Sequence, residues 1–157
     1  IGPSTKETSL HHFRDPLLEV CAEDTDIDLM GVMLVGSPDG NEDKLLVGTR
    51  AAVAAECMRA DGVILSCDGW GNSHVDYTNT MEQIGIRGIP ATGITFNGTV
   101  AQFVVVNDYL DAIVDINKSA TGEETNVVGE NNMDRIDCLK AKALLKLKMR
   151  KKEMENR

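Results

Sequence analysis

Short apolar runs alternate with segments of helical period along this chain, and this alternation constrains the fold more than any other feature. Residues 27–35 (IDLMGVMLV) are nearly all apolar and end at a glycine-proline turn, which predicts a first strand buried on both faces. Residues 42–60 repeat apolar side chains at helical spacing, and residues 63–66 (VILS) form the next apolar run. Elements that alternate in this way form right-handed crossovers and a largely parallel sheet. The sequence therefore predicts a single-domain α/β fold, a Rossmann-like three-layer sandwich with a mostly parallel sheet and helices on both faces.

The second half of the chain predicts shorter elements. A helix, two strands joined by a tight Asn-Gly turn, a helical turn and a last strand are expected in this order, at residues 76–86, 91–96, 102–106, 109–114 and 124–128. A terminal helix follows, because apolar side chains recur at helical spacing among lysines and arginines. Its buried face is predicted to hold Ile136, Leu139, Ala143 and Leu147.

The 157 residues are enough for one core and too few to divide comfortably into two domains. We expect an extended N-terminal arm at residues 1–24 with one short helical turn, an α/β domain at 25–150 and a basic tail at 151–157. Residues 140–157 carry eight of the sixteen basic residues and only two acidic ones, so a basic end follows an acidic body. An acidic body repels phosphate backbones, and nucleic-acid binding is therefore not expected.

The sequence contains no apolar run near the roughly 20 residues of a membrane-spanning helix and no signal-peptide pattern, so we expect a cytoplasmic protein. Cys21, Cys57, Cys67 and Cys138 are widely spaced and form no CxxC pair, which indicates neither a disulfide framework nor a zinc ribbon. Cys67 ends a predicted strand, but no basic neighbour in sequence would lower the pKa of its thiol. All four cysteines are interpreted as packed, reduced thiols.

Polar groups concentrate in the loop that follows the strand at residues 63–66. Ligands bind at strand ends in open α/β sheets, and this loop (DGWGNSHVD) offers carboxylates, an imidazole, an amide and an indole between glycines that permit close approach. Other strand-end turns add polar residues. The predicted pocket or subunit contact consists of Asp68, Trp70, Asn72, His74, Asp76, Thr95, Asn97, Glu130 and Asn131.

The same loop also fits a purely structural role. In that alternative Asp76 caps the following helix, Asp68 and Asn72 bond turn amides, and Trp70 fills a crevice at the sheet edge. His74 is the best acid or base, since an ordinary pKa of ~6.5 lies near cellular pH. The sequence contains no GxGxxG, Walker or HExxH motif, so it supports no nucleotide site and no metal, and it assigns no catalytic residue.

Several motifs in one order resemble the family of glycine, sarcosine and betaine reductase component B and D-proline reductase. They are DGVI, DGWGNSHVD, IP, VVGEN and ALLKLKM, at residues 61–64, 68–76, 89–90, 127–131 and 143–149. The resemblance extends through most of residues 26–149. It implies a subunit of a cytoplasmic amino-acid reductase complex of anaerobic, Stickland-type fermentation.

In that family a proprotein is cut at an internal cysteine to leave a pyruvoyl group, which binds the substrate amine, and a selenocysteine of a partner subunit attacks the α-carbon. This chain has no selenocysteine, and none of its cysteines has a context that matches the processing site. The resemblance therefore implies no cofactor in this chain and places the pyruvoyl group and the selenocysteine on partner subunits. The chain is most similar to a small accessory subunit that parallels the carboxy-terminal part of the proprotein.

Three functions follow from these observations. The first is an accessory subunit of a D-proline reductase type complex, which opens the ring of D-proline to 5-aminovalerate, with the isolated chain inactive and self-association possible. The second is a processed catalytic fragment of a component B proprotein. The third is a stand-alone small-molecule-binding domain that uses the loop at residues 68–76.

Overall fold

The computed structural model describes residues 15–67, 72–97, 102–123 and 132–156. In chain order the described elements are α1 (Pro16–Ala22), α2 (Asn41–Cys57), β1 (Val63–Cys67), α3 (Asn72–Ile86), β2 (Ala91–Thr95), β3 (Ile113–Asp115) and α4 (Arg135–Glu155). The strands pair in parallel in the order β1-β2-β3. The predicted α/β class, with a parallel sheet in a single domain, is confirmed.

Helices α3 and α4 cover opposite faces of the sheet, because side chains alternate between the two faces along each strand. Leu65 and Ala91 pack in the cluster that contains Met81 of α3. Ile94 instead packs in the cluster that contains Ala141 of α4. The middle strand, β2, is buried at every position, as expected for a parallel strand covered on both faces.

Helix α2 adds a further layer, since it packs chiefly on α3 and not on the sheet. Gly48 makes this close approach possible: a Cβ atom there would lie 2.2 Å from Asn79 Nδ2 and 3.2 Å from the Thr80 backbone nitrogen. Asn79 Nδ2 also donates a hydrogen bond to the Leu45 carbonyl across the contact, at 3.3 Å. The helix predicted at residues 42–60 is therefore confirmed.

The strand predicted at residues 27–35 is wrong. This segment has no regular secondary structure and pairs with no strand among the described residues, and its side chains are largely exposed, with Val32 at 64% and Leu34 at 94%. An apolar run indicates that a segment tends to be buried. A strand also needs a neighbouring strand as its hydrogen-bonding partner, and the apolar run does not specify one.

The predicted antiparallel hairpin is also wrong. β2 pairs in parallel with both β1 and β3, and residues 102–106 are irregular. The helical turn expected at residues 109–114 is also wrong, because these residues form a loop and the start of β3. A strand of three residues is too short to show a period in the sequence. The strand predicted at residues 124–128 lies outside the described residues.

The terminal helix is confirmed, but its predicted buried face is wrong. Helix α4 begins at a capping box in which the Asp134 side chain accepts from the Ile136 and Asp137 backbone nitrogens. Its buried residues are Asp137, Cys138, Ala141 and Leu145. The predicted face is exposed instead at Ile136, Leu139, Ala143 and Leu147. Small residues, Cys138 and Ala141, let the helix approach its neighbours more closely than the leucine stripe would allow.

Part of the expected N-terminal arm is helical. Asp15 caps α1 by accepting from the Leu17 backbone nitrogen, and Pro16 occupies the first turn, where its missing N–H costs nothing. Helix α1 packs on α4 of the same chain and buries Val20. Residues 1–14 lie outside the described residues. Within the described ranges, no helix combines the length and the apolar character that crossing a bilayer requires.

Candidate functional site

The carboxyl ends of the three strands meet at one edge of the sheet. Cys67, Thr95 and Asp115 end their strands and are Cα partners of one another across the sheet. Their side chains lie on the α3 face by alternation, because Leu65 and Ile113, two residues earlier, pack in the cluster on that face. A thiol, a hydroxyl and a carboxylate therefore form one row where α3 begins.

His74 lies in the first turn of α3 and is fully buried. Its ring is 4.6 Å from the ring of Phe103, centroid to centroid. Burial lowers the pKa of His74, and the backbone of Phe96 opposes that shift in part. Neither ring nitrogen makes a hydrogen bond of ordinary geometry within the described residues. Burial therefore favours the neutral form of His74, whose ring has one donor and one acceptor nitrogen.

Two further buried polar atoms lie at the end of β2, on the two residues that flank Phe96, whose backbone interacts with His74. The Thr95 hydroxyl is fully buried, and neither it nor the Asn97 Oδ1 atom has a hydrogen-bond partner in the described part of the chain. The Asn97 backbone nitrogen, in contrast, donates to Asp115 Oδ1 at 3.1 Å. Buried polar atoms without partners are rare and cost about 1–3 kcal/mol each, so their occurrence together indicates a place where another group is received.

Asp76 belongs to a different cluster, on the side of α3 that faces α2. Its Oδ2 atom accepts from Lys44 Nζ at 2.7 Å and from Ser37 Oγ at 2.5 Å, while Oδ1 is buried without a partner within the described residues. Two residues on a helix are about 200° apart around its axis, so His74 and Asp76 point to opposite sides. The structure therefore does not join Asp76 to the sheet-edge group.

The alternative role of Asp76 as a helix cap is wrong, since α3 begins at Asn72 and Asp76 lies within it. Lys44, whose exposure is 1%, was not predicted because a lysine directly after Glu42 and Asp43 is typical of a solvent-exposed helix start. One signal could have revealed it: Lys44 stands one helical turn before Gly48, at the start of a stripe of small buried residues.

The remaining predicted site residues are only partly covered. Asn72 is the first residue of α3. Asp68, Trp70, Glu130 and Asn131 lie outside the described residues. Within the described ranges, no three His, Cys, Asp or Glu side chains are grouped so that they could hold a metal ion.

The described sheet-edge group consists of His74, Thr95 and Asn97. The imidazole and the hydroxyl can each donate and accept, and the amide oxygen accepts. These atoms are buried in this structure, so a group that pairs with them has to enter the interior at the sheet edge, where hydrogen bonds are strong. The arrangement is suited to binding a polar group.

Comparison with known proteins agrees with the motifs in the sequence. The profile of glycine/sarcosine/betaine reductase component B subunits matches residues 1–140, which include the whole sheet-edge group. The chain is also 37% identical over 155 residues to the D-proline reductase proprotein PrdA of Acetoanaerobium sticklandii. That alignment covers 99% of this chain and 25% of the proprotein, so the chain spans about a quarter of the length of this curated relative. No solved structure matches the chain.

Proposed function

Because the chain belongs to the family of glycine/sarcosine/betaine reductase component B subunits, we propose that it is a subunit of a D-proline reductase type complex. Such a complex opens the ring of D-proline reductively to 5-aminovalerate in the cytoplasm of amino-acid-fermenting anaerobes. The identity of 37% to a D-proline reductase proprotein supports D-proline as the substrate. The observation that supports a working role for this chain is that His74, Thr95 and Asn97 have buried polar atoms with no hydrogen-bond partner of ordinary geometry among the described residues.

The proposed role is accessory, with no pyruvoyl group in this chain. The family forms that group at a chain end created by cutting before an internal cysteine. Here every cysteine belongs to a regular element, namely α1, α2, β1 or α4, and Cys21 and Cys138 are buried as well. The four cysteines therefore do not fit a processing site, and the pyruvoyl group and the selenocysteine are assigned to partner subunits.

Within the complex, the sheet edge is proposed to receive a polar group of the substrate or of a partner subunit. A partner that supplied hydrogen bonds to His74, Thr95 and Asn97 would remove the cost of leaving these atoms unpaired. This cost is a property of the isolated chain, and its removal would favour assembly.

Reconstitution tests the proposal. The chain is combined with the pyruvoyl-bearing and selenocysteine-bearing subunits, and co-elution and D-proline reduction are measured with the wild type and with His74→Gln. Lys140→Gln, at an exposed position on α4, is the matched control. The wild-type chain should co-elute and increase the rate of reduction, and His74→Gln should lower that rate by about tenfold or more, the value of one good hydrogen bond in a site that excludes water.

A chain that neither co-elutes nor changes the rate would contradict the proposal. Because the unpaired atoms also favour a stand-alone small-molecule-binding domain, calorimetric titration of the isolated chain with D-proline separates that second candidate. N-terminal sequencing tests whether the chain is instead a processed catalytic fragment. A terminus that can be sequenced only after hydrazine-type treatment carries a pyruvoyl group.

A further inference from the structure

Helix α4 has a second apolar face, on the side that points away from the core. This face lies about half a turn around the helix from the buried residues and extends for about 27 Å. The α4 stripe consists of Ile136, Ala143, Leu147 and Met154, all of them exposed. A helix that is apolar on opposite sides is normally covered on both. The outer side of α4 therefore indicates an interaction surface.

The charges around the α4 stripe restrict what can cover it. Arg150 lies in line with the stripe and Lys151 lies beside it, and both are exposed. Among the described residues, Arg150 forms no ion pair and Lys151 forms only a long one, 3.9 Å from Glu155. Residues 140–157 hold eight basic and two acidic residues, so two α4 helices packed side by side would repel each other. The stripe is suited instead to a segment that is apolar and acidic.

The apolar segment at residues 27–35 has this composition and is exposed as well. Six of its large apolar side chains face solvent, namely Leu29, Met30, Val32, Met33, Leu34 and Val35. The surrounding residues 23–43 contain seven acidic residues and no basic one. Asp28, within the segment, is exposed and forms no ion pair among the described residues. One chain therefore presents two open apolar surfaces, one acidic and one basic.

The two surfaces adjoin each other, and the apolar segment is held at both ends. Just before the segment, Asp26 Oδ2 lies 2.9 Å from the Nζ atom of Lys146, the neighbour in sequence of Leu147. Just after the segment, Ser37 donates to Asp76. The segment is therefore anchored at the surface, and within its own chain it leaves the stripe exposed. A two-fold axis between two adjoining surfaces can bring each of them onto its counterpart in a second copy.

We propose that two copies of this chain form a two-fold dimer in which the apolar segment of each copy packs on the α4 stripe of the other. This reciprocal arrangement covers both apolar surfaces and places acidic residues beside Arg150 and Lys151. Nine large apolar side chains of each copy enter the contact, as the centre of an interface that typically has about 20–30 residues a side. The inference does not depend on the proposed role in D-proline reduction.

Sedimentation velocity of the full chain at micromolar concentration tests the dimer. The wild type should have twice the mass of one chain. Leu34→Glu and Leu147→Glu each place a charge in one of the two surfaces and should raise Kd at least about thirtyfold, the effect of losing one hot-spot side chain. Both leucines are exposed in the single chain, so the variants should fold. Val106→Glu, at an exposed apolar position outside both surfaces, is the matched control and should leave Kd unchanged.

Mixing Leu34→Glu with Leu147→Glu tests the reciprocal arrangement. In a mixed dimer both changes fall on the same contact, so the other contact is wild type on both sides. The mixture should therefore form dimers at concentrations where neither variant does so alone. If circular dichroism shows that either variant is unfolded, glutamine replaces glutamate at that position.

A monomeric wild type would overturn the proposal. This includes the case in which Leu147→Glu lowers co-elution with the other reductase subunits, because one of those subunits would then cover the stripe. An unchanged Kd in Leu34→Glu would also overturn it, since α4 alone would then hold the dimer. So would a mixture of the two variants that stays monomeric.

Discussion

Thr95 and Thr92 lie on the same strand and are both fully buried, but their hydroxyls differ in hydrogen bonding. The Thr92 hydroxyl donates to the Ala141 carbonyl at 3.2 Å, whereas the Thr95 oxygen has no partner among the described residues. Valine has the same shape without the hydroxyl. Thr95→Val should therefore raise the free energy of unfolding by about 1 kcal/mol, and Thr92→Val should lower it by about as much.

Urea denaturation of the two variants measures this difference. If Thr95→Val destabilises the chain as much as Thr92→Val does, the Thr95 hydroxyl is satisfied in solution. In the reconstituted complex, Thr95→Val should lower the rate of D-proline reduction although it stabilises the chain, because it removes a group that the proposed partner would bind.

The buried imidazole of His74 predicts a pH dependence of stability. Burial holds the pKa of His74 below its ordinary value of about 6.5, so the unfolded chain binds a proton there more readily than the folded chain. The stability supported by neutral His74 is present above about pH 6.5 and is lost as the pH falls from there toward the folded pKa. Below pH 6.5 the free energy of unfolding should thus fall more steeply in the wild type than in His74→Gln. His11 and His12 are common to both chains, so parallel curves would contradict the assignment.

At the scale of elements, the two faces of α4 give a direct comparison. Leu145 is 6% exposed and packs against Gly62, where an added Cβ atom would lie 2.9 Å from Leu145 Cδ1. Leu139 is 40% exposed. Leu145→Ala should cost about 2–5 kcal/mol of unfolding free energy, and Leu139→Ala less than about 1. Urea denaturation checks both, and equal losses would mean that the leucine stripe predicted from sequence is part of the core.

The sequence predicts which elements exist better than it predicts what they contact. Helical spacing identifies α2, α3 and α4, because the period depends on the backbone of each helix alone. It cannot choose between the two apolar stripes of α4, since that choice depends on the small residues Cys138 and Ala141 fitting their neighbours. The segment at residues 27–35 has the composition of a buried strand, yet composition does not supply a hydrogen-bonding partner.

The same limit applies to the candidate site. Polar residues between glycines mark where β1 ends. His74, Thr95 and Asn97, all selected from the sequence, have buried polar atoms without ordinary hydrogen-bond partners in the part of the chain that the structure describes. Asp76 was selected too, but the face it occupies became clear only when α3 was seen to begin at Asn72. The burial of Lys44 requires a carboxylate 32 residues later in the chain, and no local pattern reports such a pairing.

At the scale of the whole molecule, the layers run from α4 through the sheet to α3 and then α2. Helix α2 has little contact with the sheet, so α3 holds it in place. The buried ion pair between Lys44 and Asp76 lies at this contact, and Ser37, two residues after the apolar segment at residues 27–35, also donates to Asp76. The stability of the outer layer should therefore depend strongly on one charged pair.

Removing one partner of that pair should destabilise the molecule more than removing both. Lys44→Met leaves the Asp76 carboxylate buried without its cation, which typically costs about 3–5 kcal/mol. The double variant, which combines Lys44→Met and Asp76→Leu, contains neither buried charge. Because apolar pairs of similar volume are often as stable as a buried ion pair, the double variant should recover most of the lost stability. Urea denaturation of the wild type, both single variants and the double variant gives the coupling energy as a double-mutant cycle. A loss below about 1 kcal/mol in Lys44→Met would mean that Asp76 does not depend on Lys44 for its compensation, since an uncompensated buried charge cannot cost so little.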